Sequence, residues 1–177
     1  MERHVSYWLV PAIEPREFFQ QLIDTLGRLH QAPSFVPHVT IYSGERPASE
    51  DPRAIIVQST GDVKEVRLEI DTVSYTDLFT KSLFVQFRHS ELLGSLAERM
   101  RHLSANPSMY ELNPHLSLIY KHMESGEKQA IVSSLQLPRS TVLFDAVWAI
   151  ESVGTTSKEE DVRGWQVLCR ESLGSRS

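Results

Sequence analysis

The sequence predicts a two-lobed fold of strands and helices in which one supersecondary unit occurs twice. The tetrapeptide Pro37-His38-Val39-Thr40 returns 77 positions later as Pro114-His115-Leu116-Ser117. The hydrophobic patterns around the two copies follow the same order, and no low-complexity linker separates them. Two copies without a linker favour closely packed lobes over independent domains. We therefore expect one domain over residues 1–177, with repeats at about 3–75 and 80–172.

The first half is predicted to have the order β-α-β-α-β. A β-rich run from Val5 to Val10 ends at Pro11, and Pro15 begins a segment whose apolar residues recur at helix spacing. The strand that carries the first His-x-Thr motif follows. A short helix is expected near residues 52–58, and residues 66–70 alternate between apolar and charged types, which is typical of a half-buried strand.

The second half repeats this order and adds one strand. The pattern predicts a strand at 83–87, a helix over 92–103, the His-x-Ser strand and a helix at about 125–135. Two closing strands are expected at 142–153 and 165–171. The polar segment 154–164 between them is interpreted as an exposed hairpin loop, and residues 174–177 as a flexible tail.

The two His-x-Thr/Ser motifs are predicted to lie on strands. Because side chains alternate across a strand, His38 and Thr40 share one face, as do His115 and Ser117, while the residue between them faces a core. One such tripeptide carries little information, since chance supplies it often. Two copies, each preceded by proline at the start of a strand, are far more specific.

These residue types suit the cleavage of a phosphodiester. An imidazole with an unperturbed pKa near ~6.5 can exist in either protonation state at neutral pH, so two rings can act as an acid and a base. Each role contributes on the order of 10²–10⁴ in rate. The hydroxyls of Thr40 and Ser117 can donate hydrogen bonds to the non-bridging oxygens of a phosphate.

At His38-Val39-Thr40 and His115-Leu116-Ser117 the chain resembles the 2H phosphoesterase superfamily and, within it, the cyclic phosphodiesterase family. The resemblance covers roughly residues 3–172. It implies a two-lobed α+β fold with antiparallel sheets facing a central cleft. It further implies metal-independent hydrolysis of nucleoside 2′,3′-cyclic phosphates or ADP-ribose 1″,2″-cyclic phosphate.

The resemblance also implies roles for individual residues. His115 would activate water, and His38 would protonate the departing ribose oxygen. Tyr120, which follows the second motif, would reach the phosphate. The residue pattern by itself treats the two histidines alike.

Three aromatic residues are candidates for stacking on a nucleobase, namely Tyr7, Trp8 and Phe84. The first two lie on the first strand, and Phe84 lies on the corresponding strand of the second half. Core packing is the commoner role of such residues. Trp148 and Trp165, in the closing strands, are predicted to belong to the core.

Composition narrows the range of partners. A formal net charge of −5 disfavours a surface that grips duplex DNA, but it is compatible with a small phosphorylated substrate in a locally positive pocket. The single cysteine, Cys169, excludes an intramolecular disulfide and is expected to pack in a late strand. No metal-ligand motif is visible, so we expect no metal and no cofactor.

The expected protein is therefore a cytoplasmic monomer without a signal peptide, a membrane partner or a stable nucleic-acid complex. Two alternative functions remain open. One is an RNA 2′-5′ ligase or RNA cyclic phosphodiesterase of the same superfamily, for which a basic track leading from the cleft would be diagnostic. The other is a non-catalytic nucleotide-binding module, although both histidines and both hydroxyls of the motifs are present.

Overall fold

The structure, a computed structural model, describes residues 3–174 and contains seven strands and five α-helices in that range. The elements are β1 (Arg3–Pro11), α1 (Ile13–His30), β2 (Val39–Glu45), α2 (Pro52–Thr60), β3 (Val66–Tyr75), β4 (Leu83–Phe87), α3 (Glu91–Leu103), β5 (His115–Ile119), α4 (Ser125–Ser134), β6 (Thr141–Val153), α5 (Glu159–Arg163) and β7 (Gln166–Ser172). A single 3₁₀ turn at Phe79–Lys81 precedes β4. The β-α-β-α-β order predicted for each half is confirmed.

The seven strands form one antiparallel sheet in the order β1-β2-β5-β4-β3-β6-β7, and β6 also pairs with β1. This additional pairing closes the first six strands of the order into a ring. Between β2 and β5 the ring is held by one residue pair, Val39 with Leu116. The sheet is thus nearly divided there into two lobes that face each other, with β2, β1, β6 and β7 in the first lobe and β5, β4 and β3 in the second.

The last strand of each half of the sequence lies in the lobe that contains the first strand of the other half. β3, which ends the first half, pairs with β4 and with the start of β6. β6, which ends the second half, pairs along the whole of β1. The two predicted sequence repeats therefore do not coincide with the two lobes, because each lobe contains strands from both halves of the sequence.

Helix α1 shows how the helices cover the sheet. Phe19, Ile23 and Leu26 recur at helix spacing and are buried, so this face of α1 packs onto the core. The helix ends at His30, and the next residue, Gln31, has a φ of 54°, the left-handed conformation common just after helix C-termini.

The segment 154–164 differs from the expected exposed loop, because it contains the short helix α5. The Asp161 carboxylate accepts hydrogen bonds from the backbone N–H groups of Ser157 and Lys158, which organises the start of this helix. Apart from Gly174, the expected flexible tail lies outside the described residues.

Candidate active site

The single bridge between β2 and β5 brings the two motifs together. Val39 pairs antiparallel with Leu116, and both side chains are fully buried in the core. Because neighbouring side chains on a strand point to opposite faces, the residues before and after this pair turn towards the cleft. His38, Thr40, His115 and Ser117 therefore meet on one face, and all four line the same cleft.

A shift in strand register in each half helps to orient these side chains. The register between β1 and β2 shifts between Tyr7 and Trp8, where Ile41 has no direct partner. The register between β4 and β5 shifts in the same way between Leu83 and Phe84. Such bulges bend a strand and change the direction of nearby side chains. Trp8 and Phe84, which follow the shifts, pair with Thr40 and Ser117, respectively.

Both histidines are held by the same backbone contact. His38 Nδ1 lies 2.7 Å from the carbonyl oxygen of Val36, and His115 Nδ1 lies 2.7 Å from that of Asn113. A carbonyl can only accept, so Nδ1 of each ring carries the proton that is donated. Nε2 of each neutral ring is therefore left as a proton acceptor, the atom that acid-base chemistry requires.

Aromatic side chains surround His38. Its ring stacks on Trp8 with centroids 3.6 Å apart and an interplanar angle of 7°, and the edges of Phe35 and Trp165 complete the enclosure. The pKa of His38 is lowered to about 3, mainly by burial; the hydrogen bond to the Val36 carbonyl opposes this shift, and the nearby His115 ring contributes to it. His38 is thus neutral at physiological pH in the free protein.

His115 is only partly buried and has a cationic neighbour. Phe84 contacts its ring edge-on at 5.7 Å, and Lys81 Nζ lies 4.4 Å from the centroid of that phenyl ring. Burial lowers the pKa of His115, the Asn113 carbonyl opposes this shift, and the charge on Lys81 adds to it. The two histidines therefore share a backbone setting but differ in burial and in charged neighbours.

Hydroxyl groups lie beside both rings. Ser117 Oγ donates to the carbonyl of Thr80 at 2.7 Å, and the Tyr120 side chain lines the same cleft. Burial raises the pKa of Tyr120, so that its hydroxyl keeps its proton and remains a donor. Tyr110 donates to the carbonyl of Thr40 at 3.4 Å.

The cleft has a volume of about 230 Å³, and its lining combines hydroxyl groups with aromatic rings. Within residues 3–174 no carboxylate lines it, so nothing there repels an anion. The same residues contain no group of three or more histidine, cysteine or acidic side chains placed to hold a metal. They also contain no helix long and apolar enough to cross a membrane.

The three candidates for base stacking have different surroundings. Trp8 lines the cleft, but the stacked His38 ring covers one of its faces. Tyr7 is fully buried, lies in the core cluster and stacks on Tyr42. Phe84 is also buried, between His115 and Lys81, and does not line the cleft.

Several residues of the cleft were not selected from the sequence. Trp165, assigned to the core, lines the cleft and contacts Trp8, His38 and Tyr120 edge-on. Ser43 also lines the cleft. It lies five positions after His38, as Tyr120 lies five after His115, so comparing offsets within the two motifs would have found it. Trp165 has no comparable signal, because the fold of residues 154–164 places it.

Comparisons with known proteins agree with this architecture. A family model described as "Cyclic phosphodiesterase-like protein" matches residues 1–173. The chain belongs to this family. Hydrolysis of cyclic phosphodiesters is accordingly its activity at the family level, and the family lies within the 2H phosphoesterases that the motifs resemble.

Individual relatives are more distant. The chain is 23% identical over 124 residues to a cyclic phosphodiesterase of Arabidopsis thaliana, which covers 70% of this chain and 68% of the relative. It is 29% identical over 153 residues to a 2′,3′-cyclic-nucleotide 3′-phosphodiesterase of Phaeosphaeria nodorum. This match covers 77% of this chain and 78% of the relative. The crystal structure of Escherichia coli LigT complexed with 3′-AMP shares the fold of this cyclic phosphodiesterase-family protein, with a TM-score of 0.61 and 12% sequence identity. The match covers 99% of this chain and 100% of the LigT chain.

Proposed function

We propose that this protein hydrolyses a cyclic phosphate on a ribose by acid-base catalysis with His38 and His115. The observation that carries the proposal is the Val39–Leu116 bridge, which turns two imidazoles and two hydroxyls into one cleft. The names of its relatives, a cyclic phosphodiesterase and a 2′,3′-cyclic-nucleotide 3′-phosphodiesterase, support this choice of substrate.

In the proposed step, Nε2 of His115 takes a proton from water while the water oxygen attacks phosphorus. The bond from phosphorus to one ribose oxygen breaks, and Nε2 of His38 gives its proton to that oxygen. The product is a ribose phosphomonoester. The two rings have then exchanged protonation states, and proton exchange with solvent restores them.

His38 must receive its proton when the substrate binds, because the ring is neutral in the free protein. The cyclic phosphate is an anion, and a negative charge beside an imidazole favours the protonated ring. Coulomb interactions are stronger where water is excluded, so the pKa of the deeply buried His38 should respond more than that of His115. Substrate binding thereby favours the protonated form of the His38 ring, which burial alone disfavours.

Hydroxyl donors and one nearby cation would hold the phosphate. Thr40, Ser117 and Tyr120 can donate to its non-bridging oxygens, where negative charge remains during the transfer. Ser117 must rotate away from the Thr80 carbonyl to do so. Lys81, close to His115, adds attraction for an anion without lining the cleft itself.

The test is hydrolysis of nucleoside 2′,3′-cyclic phosphates and ADP-ribose 1″,2″-cyclic phosphate with EDTA present. His38→Gln and His115→Gln should each lose roughly 10²-fold or more in kcat, because each removes a proton carrier. Thr40→Val and Ser117→Ala should lose less, since each removes one hydrogen-bond donor. His89→Gln, at an exposed histidine outside the cleft, is the matched control.

A substrate whose leaving group needs no proton separates the two roles. With a nitrophenyl phosphodiester, His38→Gln should recover much of its lost rate, whereas His115→Gln should stay slow. The opposite pattern would exchange the roles of the histidines. Full activity in either variant would remove the two-histidine mechanism.

A further inference from the structure

The carbonyl group that holds the His115 ring lies in a segment without helix or strand. Asn113, which provides this carbonyl, is an exposed residue in the segment 104–114 between α3 and β5. The carbonyl accepts the proton on Nδ1 of His115 and so leaves Nε2 as the proton acceptor. The direction of one exposed peptide group therefore decides which nitrogen of His115 can act as a base.

Gln86 holds that peptide group from both ends. The residue lies on β4, directly opposite His115. Its side-chain Nε2 lies 2.9 Å from Asn113 Oδ1 and 3.0 Å from the carbonyl oxygen of Pro114, with the carbonyl oxygen of Phe87 at 3.1 Å. The backbone N–H of Phe87 also donates to the Pro114 carbonyl at 2.9 Å. Because the Asn113 carbonyl belongs to the peptide unit between Asn113 and Pro114, these contacts limit its rotation.

The corresponding position in the first half shows that the strand itself does not require an amide there. Continuing the register of β1 with β2 by one residue places Val10 opposite His38, as Gln86 lies opposite His115. Val10 is fully buried among apolar residues, and its side chain cannot donate a hydrogen bond. The same place in the fold thus accepts valine, so strand formation alone does not explain Gln86.

We propose that Gln86 is a positioning residue that keeps His115 in the Nδ1–H tautomer by holding the Asn113 carbonyl. The inference rests on the proposed function, in which Nε2 of His115 takes a proton from water. Gln86 and Asn113 do not line the cleft, so they act through His115 and not on the substrate. If the carbonyl turns away, the proton can move to Nε2, and a neutral ring in that form cannot accept a proton there.

The kinetic test removes the donor and keeps the length of the side chain. Gln86→Met should lower kcat for a nucleoside 2′,3′-cyclic phosphate roughly 10-fold with KM unchanged, because it misplaces a reacting group without altering substrate contacts. Gln86→Glu should lose at least as much, since a carboxylate cannot donate to either oxygen. The matched control is Gln166→Met, at an exposed position of β7 outside the cleft, which should keep wild-type activity.

The tautomer is measured directly by nitrogen NMR of the imidazole rings in the free protein, above neutral pH, where both catalytic rings are neutral. The shift of each ring nitrogen depends on whether it carries the proton. Gln86→Met should move both nitrogens of His115 towards the values of mixed tautomers. The signals of His38, whose ring is held by Val36, should stay in place. The variants His38→Gln and His115→Gln identify the two sets of signals.

A second variant reaches the same contact from the exposed segment and leaves β4 intact. Asn113→Ala removes one acceptor of Gln86 and keeps the backbone carbonyl, so it should change the His115 signals in the same direction but less. In the Gln86→Met background it should add nothing, because that contact is already lost.

Three results would overturn the assignment. These are unchanged His115 signals in Gln86→Met, equal changes at His38 and His115, and a full additional effect of Asn113→Ala in the Gln86→Met background. Equal changes at both rings would mean that the variant loosens the protein generally. If the protein turns over no cyclic phosphate, the proposed function fails separately, and the NMR comparison still decides whether Gln86 sets the tautomer of His115.

Discussion

His38 and His115 occupy equivalent backbone positions, yet their surroundings separate them electrostatically. Each donates Nδ1–H to the carbonyl two residues earlier, across an intervening proline. His38 is closed in by Trp8, Phe35 and Trp165, whereas His115 is partly exposed and lies near a lysine. Two rings in identical surroundings would have equal proton affinities. Unequal burial and different charged neighbours give these two rings different proton affinities.

The pH dependence of kcat/KM should reflect the lowered pKa values of both histidines. This quantity reports the free enzyme, in which the pKa of His38 is about 3 and that of His115 is below 6.5. One ring must be protonated and the other neutral, so activity is greatest between the two pKa values. We expect an optimum below pH 6.5, whichever ring is the acid.

Steady-state assays across the acid range provide the measurement. The profile of kcat, which reports the complex, should lie at higher pH than that of kcat/KM, because the bound anion raises both pKa values. An optimum of kcat/KM above neutrality, or coincident profiles, would show that burial does not control these rings.

The positive charge on Lys81 should lower the pKa of His115. Among the residues that the structure describes, the other ionisable ones that line the cleft with His115 are His38, Tyr110 and Tyr120. Burial raises the pKa of Tyr110 to about 12 and raises that of Tyr120, so both tyrosines stay neutral. Lys81→Met should therefore raise the pKa of His115 and move its limb of the kcat/KM profile to higher pH. The measurement is that limb, followed in Lys81→Met and Lys81→Arg.

Lys81→Arg should leave the limb in place because it keeps the charge. Lys64→Met, an exposed lysine outside the cleft, is the control for a general change in net charge. A limb that moves equally in Lys64→Met would contradict a local role for Lys81.

At the level of elements, the segment before β4 depends on a buried lysine of α4. Lys128 is 1% exposed, and its Nζ donates to the carbonyl of Thr76 at 2.7 Å and to Asp77 at 2.9 Å. Four residues after Thr76, the carbonyl of Thr80 receives the hydroxyl of Ser117. Helix α4 thus anchors the segment that orients a phosphate-binding candidate.

Lys128→Met should destabilise the protein by about 1–3 kcal/mol, because it leaves the Thr76 carbonyl without this donor and the aliphatic replacement restores only packing. Asp77 is exposed, so Asp77→Asn should cost much less than Lys128→Met, as for other pairs with an exposed partner. Urea denaturation of both variants provides the comparison. Equal losses would mean that the ion pair, and not the buried hydrogen bond, anchors the segment.

On the scale of the whole molecule, the exchange of β3 and β6 ties the two lobes together. β6 pairs with β3 through residues 141–144 and with β1 through residues 144–153. Neither half of the sequence contains all the partners of its own strands. The duplicated sequence should therefore unfold as one cooperative unit.

Two spectroscopic probes can test this cooperativity. Trp8, Trp148 and Trp165 lie on or beside β1, β6 and β7, so their fluorescence reports the first lobe. Far-ultraviolet circular dichroism reports helices and strands throughout the chain. The two urea transitions should coincide, with the same midpoint and slope. Separate midpoints would show that the lobes unfold independently.

Features with a local physical cause were accessible from the sequence. Helix and strand periodicity predicted the order of the ten repeated elements and the last strand, and alternation along a strand placed each histidine beside its hydroxyl residue. The helix α5 was missed because four of its five residues are charged and its single apolar residue, Val162, shows no period; backbone hydrogen bonds to Asp161 organise it.

The sequence by itself thus determined the duplicated β-α-β-α-β order and the chemical identity of the two motifs, since both depend on residues close together in the chain. Tertiary structure alone decided that β3 and β6 exchange lobes and that one bridge, Val39 with Leu116, joins the motifs. It also decided that aromatic rings bury His38 more deeply than His115. Strand partners and burial depend on contacts between residues far apart in sequence, whose register and packing no local pattern specifies.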